Sequence, residues 1–284
     1  MKTLHEYIQD AEKKGIAIGH FNISNSDGFW AVVLAAKELN VPVIIGVSEG
    51  ERDFIGVREV AAMVKAYREA TGQPVFLNAD HTYSFERVKE VVDAGYDAVI
   101  IDGTELSFDD NVAMTKKCVE YAHAVNPNII VEAEIGFIGK SSKLLDKVPE
   151  GVGTLTTPEE AKAFIDATGA DMLAPAVGNV HGIVKGGEPA LKIDVIKQIK
   201  ESTKVPLVLH GASGNSDSDI RAAIDAGISI VHVNTELRVA YRNGIMKSLQ
   251  ENPDEVAPYK FLKGGREAMQ KVAEEKLRIF NKIS

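Results

Sequence analysis

Cysteine is almost absent from this chain of 284 residues: Cys118 is the only one, which excludes an intrachain disulfide and is typical of a reducing compartment. The sequence also lacks the run of roughly 20 apolar residues that a membrane span needs. Its first 14 residues are charged and amphipathic, unlike the apolar core of a signal peptide. Basic residues are outnumbered by acidic ones, 32 against 41, which disfavours binding to nucleic acid or to an anionic membrane. We therefore expect a soluble, cytoplasmic protein.

Short β-branched runs alternate with amphipathic helical patterns along residues 1–284, which we interpret as one domain. The predicted strands are Ile16–Phe21, Pro42–Val47, Pro74–Asn78, Ala98–Ile101, Ile129–Glu134, Asp171–Ala174, Val205–His210 and Ile230–Val233. The predicted helices between them are Gly28–Leu39, Val57–Ala70, Phe85–Ala94, Asn111–Ala124, Pro158–Ala167, Ile193–Glu201 and Asp217–Ala226. Eight strand-helix units predict an α/β fold, a single (β/α)8 TIM barrel.

Further helices are predicted at both ends of the chain. The N-terminal one precedes the first strand, and the C-terminal one, over Gly265–Lys282, is expected to cover a barrel end or a partner subunit. An open doubly wound sheet is the main alternative architecture. It usually carries a G-x-G-x-x-G fingerprint after its first strand, and no such motif occurs here.

Functional residues of a barrel lie where the strands end at their carboxyl side. Histidines follow the third, sixth and seventh predicted strands, as His81, His181 and His210. One histidine at such a rim is usually a hydrogen-bonded polar residue, whereas three at one level predict a catalytic zinc site with an open position. Asp102 and Glu134 lie at the same rim and could supply oxygen ligands or accept hydrogen bonds from the histidines. We expect only one of the two glutamates on strand five to face the metal, with Glu132 pointing outward.

Small residues beside the histidines predict a phosphate site. Gly182 follows one histidine, and Gly211, Ala212 and Ser213 follow another, so the backbone can approach a ligand closely there. The segment Gly211–Ser213 after strand seven, together with Asn234 and Thr235 after strand eight, occupies the position of the phosphate site in many barrels. Backbone N–H groups and the N-terminus of the next helix suit a phosphate dianion.

Seven motifs in order resemble the class II, zinc-dependent ketose-bisphosphate aldolases, which include the fructose- and tagatose-bisphosphate aldolases. They are V-I-I-G-V-S-E-G (43–50), D-H (80–81), I-I-D-G (100–103), V-E-A-E-I-G (131–136), G-N-V-H-G (178–182), V-L-H-G-A-S-G (208–214) and V-N-T-E (233–236). The resemblance implies that His81, His181 and His210 bind zinc. It also implies that Asp80 is the acid/base on the substrate C4 hydroxyl.

The same resemblance assigns the remaining pocket residues. Asp102 and Glu134 would form a neighbouring, alternative metal position, open to a second divalent ion. The dihydroxyacetone phosphate site would comprise Gly182, Gly211, Ala212, Ser213, His232, Val233, Asn234 and Thr235, with Na⁺ or K⁺ as an assisting ion. Asn22, Ser48 and Lys185 would line the same pocket. The implied reaction is reversible cleavage of a ketose phosphate in glycolysis, by a homodimer or homotetramer.

Three departures from the family pattern concern the periphery of this site. The loop after strand five carries no acid before Asp146, where the family has acidic residues that move the C3 proton. His232 replaces an asparagine on strand eight. Tyr259, in A-P-Y-K-F-L, replaces the arginine that meets a distal phosphate, and Lys260, Lys140 and Lys143 are the candidates to restore its charge.

Three functions are compatible with these residues. The first is an aldolase for fructose 1,6-bisphosphate, or for tagatose 1,6-bisphosphate or a ketose 1-phosphate. The second is a barrel isomerase or epimerase of sugar phosphates, which has less use for three convergent histidines. The third is a non-catalytic sugar-phosphate sensor, suggested by the three departures.

Overall fold

A closed barrel of eight parallel strands forms the centre of the computed structural model, which describes residues 2–140 and 142–283. In chain order the barrel strands are β1 (Ile18–Asn22), β2 (Val43–Val47), β3 (Val75–Thr82), β4 (Ala98–Ile101), β5 (Ile130–Ile135), β7 (Met172–Pro175), β9 (Leu207–Leu209) and β10 (Ile228–Val233). Each pairs with the next, and β10 closes the ring on β1. Two short strands, β6 (Leu144–Leu145) and β8 (Ile183–Val184), pair outside the barrel. The predicted TIM barrel is therefore confirmed.

Helices surround the barrel, and several of them have a side-chain cap at their start or a glycine cap at their end. They are α1 (Leu4–Lys14), α2 (Ser26–Leu39), α3 (Glu49–Ile55), α4 (Val57–Thr71), α5 (Phe85–Asp93), α6 (Phe108–Val125), α7 (Pro158–Thr168), α8 (Ile193–Thr203), α9 (Asp217–Asp225), α10 (Thr235–Glu251), α11 (Pro258–Phe261) and α12 (Lys263–Phe280). For example, Thr157 and Glu160 form a capping box at the start of α7, and Gly169 ends it in the left-handed conformation. Within the described residues, none of these helices has both the length and the apolar character needed to cross a bilayer.

The interior of the barrel is apolar in its lower half, at the amino ends of the strands, and polar in its upper half, at their carboxyl ends. Alternate strand residues point inward, so that Phe76, Asn78 and Asp80 of β3 share the interior while Val75 and Leu77 pack against the helices. The lower layers are apolar and are closed from below by α1 through Leu4, Ile8 and Ala11. The upper layers carry histidines and carboxylates, all near the carboxyl ends of the strands. The strand sequences thus place apolar side chains at the amino ends of the barrel strands and most of the ionisable side chains at their carboxyl ends.

The C-terminal helix α12 packs on the side of the barrel rather than over one of its ends. It lies between α2 and α10 and contacts β1, where the Phe280 and Phe21 rings stack with centroids 6.3 Å apart. Helix α10 lies outside it and buries only Thr235 and Leu237. Of the two expected placements, the one over a barrel end is therefore wrong, because the apolar stripe of this helix completes the outer ring of helices instead. Contact with a partner subunit stays a prediction.

Candidate active site

A cavity of about 580 Å³ opens at the carboxyl ends of the barrel strands. The predicted residues that line it are Asn22, Ser48, Asp80, His81, Asp102, His181, Gly182, Gly211, Ser213, His232, Asn234 and Thr235. Glu134 and His210 are buried directly beneath them, 3% and 1% exposed. The structure thus brings most of the predicted residues to one place.

Three predicted substrate-binding residues do not line this cavity. Ala212 and Val233 are buried in the core. Lys185 directs its ammonium group to Asp146 at 2.7 Å, and its side chain is 60% exposed. Any role of these three in binding must therefore pass through the backbone, or through a movement of Lys185.

The three predicted zinc histidines converge with Glu134. His81, His181, His210 and Glu134 each offer a ligand atom, and these four atoms lie within 4.8 Å of one another. The ring centroid of His81 lies 4.8 Å from that of His181 and 5.0 Å from that of His210. Three nitrogens and one oxygen form a typical donor set for zinc.

Two buried atoms of this cluster indicate that it is built for a cation. His210 Nδ1 and Glu134 Oε1 form an ion pair at 2.6 Å that lacks hydrogen-bond geometry, and neither atom has a hydrogen-bond partner elsewhere. Buried polar atoms normally have partners, and a metal ion between such atoms would satisfy both. The residues present therefore fit a zinc ion.

The protonation of the histidines in the metal-free cluster follows from their neighbours. Burial opposes a positive charge on His210, but Glu134 and Glu132 outweigh it and raise its pKa to about 10. Burial likewise opposes a charge on His81, whose pKa Asp80 and Glu134 raise well above the usual value. Burial lowers the pKa of His181 to about 4. Protons on His81 and His210 must leave before a metal can bind, so metal and protons compete.

Neighbouring groups orient two of the three convergent histidines. His181 Nδ1 lies 2.6 Å from the carbonyl oxygen of Gly139, which leaves Nε2 for a metal. His81 Nδ1 lies 3.1 Å from Asp102 Oδ2. Asp102 is outside the group of four convergent atoms, and its other oxygen accepts hydrogen bonds from Thr104. Asp102 is thus placed to orient His81.

Asp80 and His81 are consecutive residues of β3, and both face the cavity because the strand contains a bulge. The pairing of β3 with β4 passes from Ala79–Val99 to Thr82–Ile101, so β3 has one residue more than its partner. His81 has a positive φ of 39° within this bulge. In a regular strand His81 would point outward, alongside Leu77 and Ala79.

The carboxylate of Asp80 has one occupied oxygen and one free oxygen. Asn22 Nδ2 donates to Oδ2 at 2.8 Å. Oδ1 is buried without a hydrogen bond, 3.6 Å from His232 Nδ1. Burial alone would raise the pKa of Asp80, but the neighbouring His81 and His232 hold it well below its usual value. Asp80 therefore lies at the cavity as an ionised carboxylate, with one buried oxygen that no hydrogen bond occupies.

His20 is a site residue that the sequence reasoning missed. Its ring stacks on that of His232 at 3.5 Å, and His232 stacks on His210 at 4.1 Å. A Cβ at Gly46 would lie 2.1 Å from His20 Cε1, so glycine makes room for this ring. Parallel stacked rings direct their lone pairs in parallel, which disfavours a metal shared by His20 and His232. The sequence could have revealed this residue, because His20 lies two positions after the inward-facing Ile18 of β1 and therefore shares its face.

Glu132 also faces inward, contrary to expectation. It is fully buried, and its Oε1 lies 2.8 Å from His210 Nε2. The reasoning failed because residues two apart on a strand share a face, so Glu132 and Glu134 must point the same way. Glu132 is placed to orient His210, while Glu134 belongs to the group of four convergent ligand atoms.

A network at the β1–β2 side of the cavity centres on Glu51. Its carboxylate accepts hydrogen bonds from Asn22 Nδ2 at 2.9 Å, from Ser48 Oγ at 2.9 Å and from Arg238 Nη2 at 2.6 Å. Arg238 lines the cavity beside Ser48. Neither Glu51 nor Arg238 was singled out from the sequence, because both lie on helices beyond the strand ends.

The long segment after β5, residues 136–157, covers part of the cavity. Phe137, Lys140, Lys143 and Glu150 line it, and β6 ties the segment to β8. By contrast, Tyr259 is 78% exposed and is not among the lining residues. Its neighbour Lys260 pairs with Glu255. Of the lysines considered for a distal charge, the two in this segment reach the cavity.

Comparisons with known proteins agree with this geometry. The family model described as fructose-bisphosphate aldolase class-II matches residues 2–284. A probable fructose-bisphosphate aldolase of Bacillus subtilis (strain 168) is 39% identical over 281 residues, which cover 98% of this chain and 96% of that protein. A fructose-bisphosphate aldolase of Staphylococcus aureus (strain Mu50) is 38% identical over the same shares of the two chains. The crystal structure of the YdjI aldolase from Escherichia coli K12 superposes with a TM-score of 0.83 at 32% identity, covering 98% of this chain and 96% of that chain.

These matches extend along almost the whole chain. They support an aldolase, a carbon–carbon lyase of carbohydrate metabolism. The chain belongs to the class-II fructose-bisphosphate aldolase family.

Proposed function

We propose that this protein is a zinc-dependent aldolase that reversibly cleaves a ketose 1-phosphate or bisphosphate, such as fructose 1,6-bisphosphate, into dihydroxyacetone phosphate and an aldehyde. One observation carries the proposal: a cluster of three histidines and Glu134 lies beside a carboxylate, Asp80, that has a free oxygen. This combination supplies a metal site and a base at adjacent positions. An isomerase needs the base but has less use for the metal site.

His81, His181 and His210 would hold the zinc ion, with Glu134 as a further ligand. The bound ion would supply positive charge to the C2 carbonyl and C3 hydroxyl oxygens of the substrate. Asp102, Gly139 and Glu132 keep the three imidazoles in place. We also propose that Asp102 and Glu134 form a second, alternative metal position.

Asp80 would act as the general base in cleavage. Its free Oδ1 accepts the proton of the C4 hydroxyl, and the C4 oxygen forms the aldehyde as the C3–C4 bond breaks. The bonding electrons pass to the triose fragment, whose C3 then takes up a proton to give dihydroxyacetone phosphate. In the aldol direction Asp80 returns its proton to the new C4 hydroxyl. Asn22 holds the second carboxylate oxygen and so fixes the direction of the first.

Backbone groups after β9 and β10 would bind the C1 phosphate. Gly211 has a φ of +59°, and a Cβ there would lie 2.3 Å from the carbonyl oxygen of Val180, so only glycine fits. Helix α10 begins at Thr235, and the Asn234 side chain does not cap it. In the first turn Glu236 N–H donates a long hydrogen bond to Ser213 Oγ at 3.4 Å, and the N–H groups of its neighbours remain for an anion. We include Na⁺ or K⁺ beside this phosphate in the proposal.

We further propose that the phosphate at C1 is required while one at C6 is not. Tyr259 stands in place of a distal arginine, and Arg238 is already engaged by Glu51. A distal phosphate would have to compete with this carboxylate for the guanidinium. Glu49 also lines that side of the cavity and adds further negative charge.

The proposal extends to the assembly and place of the enzyme. We propose a homodimer or homotetramer in the cytoplasm that serves glycolysis. Large apolar side chains exposed around α10 and α11 support self-association: Met246, Leu249, Val256 and Tyr259 are each more than 40% exposed.

The test begins with protein stripped of metal and reloaded with zinc. Release of triose phosphate should be measured from fructose 1,6-bisphosphate, tagatose 1,6-bisphosphate and fructose 1-phosphate. We expect release only after reloading, and less than a tenfold difference in kcat/KM between fructose 1,6-bisphosphate and fructose 1-phosphate. Tight binding of the ketose phosphates without release at any metal loading would contradict catalysis and favour the sensor. A bisphosphate preference of 10³-fold or more, about 4 kcal/mol, that Tyr259→Arg fails to increase would contradict the relaxed demand at C6.

A further inference from the structure

Arg52 on α3 is fully buried although it makes no hydrogen bond to a carboxylate. The nearest carboxylate oxygen, Glu49 Oε1, lies 4.0 Å from its Nη2. Burying a guanidinium is costly, and burial lowers the pKa of Arg52. A residue of this kind needs several acceptors to be tolerated.

The acceptors of Arg52 lie at the ends of β2 and β3. Nη1 donates to the carbonyl oxygen of Val47 at 2.6 Å and to that of Asp80 at 3.0 Å. Nη2 donates to Thr82 Oγ1 at 3.1 Å. One planar guanidinium therefore connects the last residue of β2 with two residues of the β3 bulge.

These contacts begin where the strand ladder stops. The register between β2 and β3 ends at Val47 and Ala79, and the β3–β4 register skips from Ala79 to Thr82. The Asp80 carbonyl is left without a ladder partner at this position, and Arg52 supplies the donor it needs. The fork of the guanidinium suits acceptors on two strands, whereas an ammonium offers no fixed planar geometry.

We propose that Arg52 is a positioning residue that holds the β3 bulge in the conformation that turns Asp80 and His81 into the cavity together. Without the hydrogen bonds of Arg52, β3 relaxes toward regular alternation, in which either Asp80 or His81 turns away from the cavity. The inference rests on the proposed function for the roles of Asp80 and His81. It assigns Arg52 no contact with substrate or metal.

The experiment compares Arg52→Met and Arg52→Lys with the wild-type enzyme. Arg68→Met is the matched control, because Arg68 forms a two-fold ion pair with Asp97 at the amino end of β4, away from the cavity. Zinc affinity is measured by chelator competition, kcat and KM by triose phosphate release, and amide hydrogen exchange at His81 and Thr82 in the metal-free proteins. Thermal unfolding shows which variants remain folded.

For the Arg52 variants we expect zinc affinity at least tenfold weaker, kcat at least 100-fold lower, KM within threefold of wild type and exchange at least tenfold faster at the bulge. Arg68→Met should leave these four quantities within threefold even where it lowers the unfolding temperature. Arg52→Lys keeps the charge, and the same four quantities measured in this variant test the proposal if Arg52→Met does not fold.

Wild-type zinc affinity and exchange at the bulge in a folded Arg52 variant would overturn the inference and reduce Arg52 to a stabilising residue. If wild-type protein itself binds no zinc and releases no triose phosphate, the proposed function fails instead. Amide exchange in the metal-free Arg52 variants then tests the positioning role by itself. Faster exchange at the bulge supports this role, and unchanged exchange overturns it.

Discussion

Replacement of Asp80 by asparagine isolates the proposed base. The substitution keeps the shape of the side chain, and its oxygen can still accept the hydrogen bond from Asn22, but no proton acceptor remains for the C4 hydroxyl. General bases contribute about 10²–10⁴-fold to a rate. Two neighbouring carboxylates are already engaged: Glu51 accepts hydrogen bonds from Asn22, Ser48 and Arg238, and Asp102 contacts His81 and Thr104. We therefore expect the upper half of that range, a loss of at least about 10³-fold in kcat, or about 4 kcal/mol.

Zinc binding should survive this substitution, since Asp80 lies outside the group of four ligand atoms. Cleavage is measured by coupling dihydroxyacetone phosphate release to NADH oxidation, with zinc content determined on the same sample. A second assay follows exchange of the triose C3 hydrogen with deuterium from solvent, a step that does not involve the C4 hydroxyl. Exchange should stay within tenfold of wild type.

Asp146→Asn is the control, because this exposed carboxylate pairs with Lys185 outside the cavity. It should leave cleavage and exchange within twofold of wild type. A loss of only two- or threefold in cleavage by Asp80→Asn would assign the base to another residue. Equal losses in cleavage and exchange would mean that Asp80 acts on the whole site rather than on the C4 hydroxyl.

Three further predictions concern the metal and the phosphate. His81→Ala, His181→Ala and His210→Ala should each bind less than one tenth of the wild-type zinc while remaining folded; stoichiometric zinc in all three, by elemental analysis, would contradict the ligand assignment. Because His81 and His210 have raised pKa values in the metal-free protein and are protonated at pH 7.5, zinc binding there should release about two protons. Zinc affinity should therefore fall as the pH falls, and calorimetry in buffers of different ionisation enthalpy would disagree if it detected no proton release. Gly211→Ala should raise KM for the ketose phosphate at least tenfold, since its Cβ meets a carbonyl oxygen at 2.3 Å; steady-state kinetics with an unchanged KM would count against the phosphate site.

The barrel and the common level of His81, His181 and His210 could be predicted because both follow from short-range patterns. Strand and helix periods alternate along the chain, and the polar residues stand where each apolar strand run stops. In a barrel those positions meet at one rim, so His181 and His210 could be brought together without knowledge of any contact.

The residues that escaped prediction depend on direction within a strand rather than on position along it. His20 lies below the rim, in a layer that sequence patterns present as strand interior. Glu132 was misplaced by one step of alternation. The bulge that turns His81 inward depends on Arg52, a residue on another element whose partners are backbone carbonyls, and such contacts leave no trace in the local pattern.

Helix α12 was misplaced for a related reason. Its apolar stripe predicts that it packs on something, but an amphipathic helix fits the side of a barrel as well as its end. Two contacts place α12 on the side of the barrel. Helix α1 already closes the lower end, and Phe21 and Phe280 stack where α12 packs on β1. Phe21 and Phe280 are more than 200 positions apart in sequence, so no local pattern reveals their contact.

The central claim is a zinc ion held by three histidines with the triose phosphate bound beside it. X-ray diffraction on either side of the zinc absorption edge, from crystals of the zinc-loaded protein soaked in dihydroxyacetone phosphate, tests it directly. We predict one anomalous peak about 2.0–2.1 Å from a nitrogen of each of His81, His181 and His210, the distance of zinc–imidazole bonds, with the ligand's phosphate against Gly211 and Ser213. A peak at another cluster, or a triose phosphate bound away from the zinc, would contradict the account.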